Sequence, residues 1–225
     1  MRIVTFGVIF AVLLATGASA ALVTSSSGFP AGSLVINFSQ FTGAAQIEGT
    51  NGPVQVGTLV AADVVFTSAN TDGYLSNFDG WGLSPNGNWT SAHNGYASVN
   101  DNSNPMVFTF ATPVAAVGGF MSYQPGDGTV TFEALGAGNV VLETYDLTSA
   151  APISAPSTDG GAFRGIVRPS ADIVALRIIG GYAVIDDLTF SASAGAAIPA
   201  TSPLGLVALG LLLAACGVVA LRWRA

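Results

Sequence analysis

Between Leu34 and Phe190 the chain alternates apolar and polar residues in short segments broken by Gly, Asn, Asp and Pro. Thr129-Val130-Thr131-Phe132-Glu133-Ala134 keeps a period of two, and Leu142 to Leu147 keeps it over part of its length. Val107–Phe110, Val114–Tyr123, Ile173–Ile179 and Ala183–Phe190 are rich in β-branched and aromatic residues, which suit a pleated, half-buried surface. The separators Gln124-Pro125-Gly126-Asp127-Gly128 and Gly136-Ala137-Gly138-Asn139 carry turn chemistry. No amphipathic helical period occurs between the termini, and no internal repeat is evident. About ten short strands at this spacing predict an all-β fold, an antiparallel β-sandwich or jelly roll.

Two runs break the alternation, one at each end. Arg2 precedes an uncharged apolar stretch, Ile3 to Leu14, and Ala18-Ser19-Ala20 places small residues at −3 and −1 before Ala21. This order predicts a secretory signal helix over 1–20, cleaved before Ala21. At the other end Leu204 to Leu221 is 18 residues without a charge. As a helix it would span about 27 Å, close to the bilayer core of about 30 Å. It has no polar stripe, so it does not read as a surface helix of a globular core. Trp223 suits the membrane interface, and Arg222 and Arg224 would hold the tail on the cytoplasmic side as a stop-transfer signal. The predicted layout is a signal peptide at 1–20, an ectodomain at 21–194, a linker at 195–203, a transmembrane helix at 204–221 and a basic tail at 222–225.

Composition sharpens this layout. Half of the residues are hydrophobic and 8% are charged, low for a soluble protein, and much of the apolar excess sits in the two terminal runs. The chain has no Lys, and only Arg164, Arg168 and Arg177 lie between the termini. All 13 acidic residues lie there as well, so the middle carries a net −10. Such a surface is repelled by phosphate backbones, which excludes nucleic acid as a partner; divalent cations and neutral glycans suit it better. The one cysteine, Cys216, falls inside the C-terminal apolar run, so the ectodomain is expected to hold no disulfide.

Candidate chemistry is sparse. In Ala183–Phe190, strict alternation puts Val184, Asp186, Leu188 and Phe190 on one face, with Ile185, Asp187 and Thr189 on the other. Asp186 is then expected on the buried face, where an unpaired carboxylate costs several kcal/mol. Carboxylate and carbonyl oxygens suit Ca²⁺, so Asp186 or Asp187 is a candidate ligand of a structural Ca²⁺; a bond to loop amides or an Arg is the alternative. The stretch from Asn70 to Asn104 is rich in Asn, Asp and Gly and holds Trp81, Trp89, His93 and Tyr96. Trp81, Trp89 and Tyr96 are candidates for stacking on sugar rings of an extracellular polysaccharide, or for stapling a long loop to the sandwich. "NTDG" and "DNSN" hint at Ca²⁺ loops, but no run has the twelve-residue EF-hand pattern. His93 is the only His, which excludes a multi-His metal site and leaves a single base for a catalytic triad. No nucleophile-elbow or phosphate-loop motif occurs, so the chain is not expected to be an enzyme, although two-carboxylate glycosidase chemistry has no sequence motif to test.

The C-terminal order carries a resemblance. Ile198-Pro199-Ala200-Thr201-Ser202-Pro203-Leu204-Gly205, then an apolar helix, then a basic tail, resembles the sorting signals of the PEP-CTERM class of Gram-negative surface proteins. It is most similar to the variant named for an Ile-Pro-Thr-Leu start (IPTL-CTERM). Ile198, Pro199, Ser202 and Gly205 match that pattern; Ala200 and Thr201 depart from it, and Pro-Glu-Pro is absent. Ile-Pro-Ala-Thr-Ser is also two substitutions from the Leu-Pro-x-Thr-Gly motif of sortase substrates, and lacks its final Gly. Both families imply the same partner, a membrane sorting protease or transpeptidase. It would cut at the motif, leave the helix in the inner membrane and pass the domain to the cell surface or extracellular matrix. "MVFTFATPVAAVGGFMS" and "YAVIDDLTFS" resemble strands of the jelly-roll ectodomains found on PEP-CTERM proteins, which implies an architecture and no activity. The expectation is an exported surface protein with a structural or adhesive role. A glycan-binding module, Ca²⁺-dependent or not, and a glycan hydrolase stand as alternatives.

Overall fold

A computed structural model describes residues 20–42, 46–77, 93, 95–124, 126–153 and 160–192. The expected signal peptide, the linker with its sorting motif, the transmembrane segment and the tail fall outside the described residues, apart from Ala20. Among the described residues no helix is long and apolar enough to cross a membrane.

Among the described residues fourteen strands form two sheets, and every pairing is antiparallel. The strands are β1 (Ala21–Val23), β2 (Leu34–Ile36), β3 (Ile47–Thr50), β4 (Val54–Gln55), β5 (Val64–Ser68), β6 (Gly73–Asn77) and β7 (Gly95–Val99). They continue with β8 (Pro105–Val114), β9 (Ala116–Ser122), β10 (Thr131–Leu135), β11 (Val141–Asp146), β12 (Ala162–Val167), β13 (Ile173–Ile179) and β14 (Val184–Ser191). One sheet runs β1-β12-β9-β14-β7-β6-β3, with β2 also paired to β14; the other runs β11-β10-β13-β8-β5-β4. The count exceeds the ten legible in the sequence because pieces such as β1 and β4, of three and two residues, are too short to show a period. One helical turn, α1 (Leu147–Ala150), is capped by Asp146, whose Oδ1 accepts from Thr148 N at 2.9 Å.

Alternation decides which residues enter the core. In β8, Met106, Phe108 and Phe110 point inward and are buried, as are Phe132 and Ala134 of β10 and Leu176 and Ile178 of β13. The larger sheet contributes Leu75, Ala97, Val117, Met121, Ile166, Ile185 and Leu188 to the same cluster. Phe108 packs against Phe38 and Phe66 at ring separations of 6.1 and 5.5 Å, and Phe110 of one sheet meets Phe190 of the other at 5.2 Å. On the outward face of the smaller sheet, Glu133 and Arg177 lie opposite each other in register and pair as ions.

β14 is the organising strand. Along one edge it pairs with β9; along the other it pairs with β7 at Val184–Ile185 and with β2 at Leu188–Phe190. Asp186 and Asp187 are the two residues between those partners. Opposite β9, Asp186 faces Phe120 and Thr189 faces Gly118, so Asp187 and Leu188 together oppose Gly119. This β-bulge puts Asp187 at φ +50°, a region Asp tolerates better than most residues. It also corrects the alternation expected from sequence: Leu188 and Phe190 point inward with Ile185, whereas Val184 and Asp186 lie on the outer face.

Gly119 is needed for this close approach. A Cβ there would lie 2.7 Å from Ile185 Cδ1 and 2.9 Å from the Asp186 carbonyl oxygen. Gly119→Ala is therefore expected to destabilise the domain by about 1–3 kcal/mol through overpacking. Phe108→Ala, which empties the centre of the core, should cost about 3–5 kcal/mol, while Val140→Ser, at a position 61% exposed, should stay within about 0.5 kcal/mol. Urea unfolding monitored by tryptophan fluorescence and circular dichroism checks all three.

Candidate functional site

The bulge sets two carboxylates side by side on the outer face of the larger sheet. Asp187 N donates to Asp186 Oδ1 at 2.6 Å, and Thr189 Oγ1 donates to the Asp187 carbonyl at 2.7 Å, which together hold the local turn. The second carboxylate oxygen of Asp186 remains directed at His93: Nδ1 lies 3.6 Å from Asp186 Oδ2 and 3.6 Å from Asp187 Oδ2. The imidazole lies flat on Phe120, with ring centroids 3.7 Å apart and planes 6° apart. Phe120 is the residue paired with Asp186 across β9 and β14, so sheet register places His93 and the carboxylates together.

The environment is dry on one side. Asp186 is 2% exposed although it sits on the outer face. Beside it Tyr74, Tyr96, Val184 and Phe120 form a small apolar cluster separate from the main core. Burial, and then the Asp187 charge, pushes the Asp186 carboxyl up to about 8. Asp187 is raised as well by burial, an effect that His93 opposes. None of the three described Arg serves this pair. Arg168 binds Asp172 and Glu143, Arg177 binds Glu133, and Arg164 donates to the Ala151, Pro152 and Phe163 carbonyls. One donor atom from each of His93, Asp186 and Asp187 lies within 4.8 Å of the others, the one such group among the described residues.

The sequence-predicted residues divide clearly. Asp186 and Asp187 are brought together, and His93 joins them. The sequence left His93 among the loop aromatics, because its partners are more than ninety positions away and only sheet pairing shortens that distance; its being the only His was the available signal. Tyr96 is fully buried, and burial pushes its hydroxyl up to about 12. Its ring packs in the outer cluster and offers no face to a sugar, which corrects its candidacy as a stacking platform. Trp81, Trp89, Ala18, Ile198, Pro199, Ser202, Gly205, Arg222 and Arg224 lie outside the described residues. Ala20 is described just before β1, and Ala21 is the first residue of β1.

Two other features resolve as structural. Asp101 Oδ1 accepts from the Ser103 and Asn104 amides at 2.6 and 2.7 Å, and Asn104 Nδ2 donates to Asp72 Oδ2 at 2.8 Å. The "NTDG" and "DNSN" carboxylates thus brace two loops against each other. A groove of about 480 Å³ at one end of the sandwich is lined by Leu34, Asp63, Phe110, Val114 and Phe190 among others. Its one titratable side chain, Asp63, accepts from Gln55 Nε2, so no acid–base pair converges there.

No protein-family model matches this chain, and no curated protein sequence matches it significantly.

An acid whose folded value lies above its unfolded value stabilises the fold while protonated. For Asp186 that contribution is complete below the ordinary 3.8 and is lost as pH rises through about 8. With chelator present, the melting temperature of the wild type relative to Asp186→Asn should therefore fall between about pH 5 and pH 8. A difference that stays constant across this window would contradict the burial described.

Proposed function

We propose that this chain is an exported surface protein whose β-sandwich domain serves a structural or adhesive role outside the cytoplasm, without catalysis. The supporting observation is the fit of the folded unit between the two processing points. β1 begins at Ala21, the residue after the expected signal cleavage, and β14 ends at Ser191, seven residues before Ile198 of the sorting motif. Cutting before Ala21 and at Ile198–Gly205 would therefore release the sandwich with every described strand intact. On this reading the segment 1–20 delivers the chain to the export machinery, and the apolar segment 204–221 holds it in the inner membrane until the sorting enzyme acts. The jelly-roll resemblance of Met106–Ser122 and Tyr182–Ser191 agrees with this role. Both segments form central strands of the sandwich, β8, β9 and β14. The net −10 of the middle segment keeps such a domain soluble and apart from other acidic polymers.

Fractionating cells that make the protein and measuring the intact mass of the mature chain tests this reading. The expected product starts at Ala21 and lacks Leu204–Ala225. A mature mass that still includes Leu204–Ala225 would leave a permanently anchored protein, and retention of residues 1–20 would remove export by a cleaved signal.

A further inference from the structure

We propose that His93, Asp186 and Asp187 form a binding site for a divalent first-row transition ion of the Zn²⁺ class on the outer face of the larger sheet. Spacing is the first argument. The 3.6 Å from His93 Nδ1 to each Asp Oδ2 is too long for a hydrogen bond. It is close to the separation of two ligands of a common ion. Donors about 2.0–2.1 Å from a tetrahedral Zn²⁺ lie about 3.3 Å apart, so each His93–Asp separation is within a few tenths of an ångström of that value, and the donors of all three residues lie within 4.8 Å of one another.

The donor set is the second argument. One imidazole nitrogen with two carboxylate oxygens suits Zn²⁺ and its neighbours, whereas Ca²⁺ takes six to eight oxygens. Three protein ligands leave a tetrahedral ion one position for water or for an oxygen of an exogenous ligand. The Asp187 side chain is 39% exposed and that of His93 18%, so the open side of the site reaches solvent.

Charge and support complete the case. Two adjacent carboxylates, one of them buried, are costly to ionise together, and the basic side chain that faces them among the described residues is His93. The chain has no Lys, and its three Arg between the termini are engaged elsewhere in the fold. A divalent ion offsets both charges at once. The ligands are also held in advance, the imidazole by its stack on Phe120 and Asp186 by the Asp187 amide on Oδ1. This kind of outer support orients metal ligands.

The site does not depend on export or processing, so loss of that reading would leave it standing. The test uses the full chain in detergent, stripped with chelator and dialysed, then titrated calorimetrically with ZnCl₂ and separately with CaCl₂. The expected result is one Zn²⁺ per chain at micromolar affinity or better, a raised melting temperature, and Co²⁺ absorption typical of a four-coordinate site. Asp187→Asn and His93→Ala should each weaken Zn²⁺ at least about ten-fold. Asp187→Asn is the variant that keeps the fold, since Asn accepts the positive φ of this position; its metal-free melting temperature should be at or above that of the wild type, because the charge beside Asp186 is removed. Asp63→Asn, at the remote groove, should leave Zn²⁺ affinity unchanged. Absence of Zn²⁺ uptake, equal affinity in wild type and Asp187→Asn, or uptake of Ca²⁺ in preference to Zn²⁺ would each overturn the proposal.

Discussion

β14 has to satisfy three neighbours with two edges, and much of the molecule follows from how it does so. It gives one edge to β9 and divides the other between β7 and β2. A straight strand would keep a strict alternation and would send Leu188 and Phe190 to the face that carries Asp186. The bulge at Asp187 removes that conflict by inserting one residue, so Ile185, Leu188 and Phe190 all reach the core. The same insertion leaves two carboxylates facing outward at the point where the edge partner changes. Gly119 opposite the bulge is the matching concession in β9, because only a residue without Cβ admits Ile185 and the Asp186 carbonyl so closely.

The second constraint is the scarcity of cations. With no Lys and three Arg between the termini, this domain cannot pair each of its acids with a side-chain cation. Arg168 and Arg177 serve carboxylates of the smaller sheet and of the turn at Asp172, while Arg164 is spent on backbone carbonyls near Ala151. Other acids are held by local amides and hydroxyls. Asp101 and Asp146 both accept from residues two and three positions on, which lowers their carboxyls below the usual range. Asp186 lies where desolvation outweighs its one amide bond, so its carboxyl moves in the opposite direction. The chemically distinctive point of the domain is thus the place where no described Arg reaches the carboxylates and a single local amide does not offset burial.

The strands with clean periods were legible without coordinates. Val107–Phe110, Thr131–Ala134 and Ile173–Ile179 lie in strands β8, β10 and β13, with Phe108, Phe132 and Ile178 inward as their spacing implies. Tyr96 shows the limit of such reasoning. An aromatic in an Asn- and Gly-rich stretch reads as exposed, yet Gly95–Val99 is a strand whose outer face is covered, and the ring is buried in a second cluster. Asp186 was readable as a buried carboxylate, but for the wrong face, because a bulge depends on pairing to two other strands and leaves no mark in a single strand's period.

By itself the sequence determined the all-β class, the core-facing residues of the regular strands, the acidic and Lys-free character of the middle, and the expected layout of apolar ends around it. These are properties of local period and composition, which each segment carries alone. Only the tertiary structure decided that β14 would divide an edge between β7 and β2, that Asp186 would be buried on the outside of its sheet, and that His93 would lie flat on Phe120 beside Asp186 and Asp187. The physical reason is that those relations exist between segments far apart in the chain, and hydrogen-bond register across the sheet is what brings their side chains within reach.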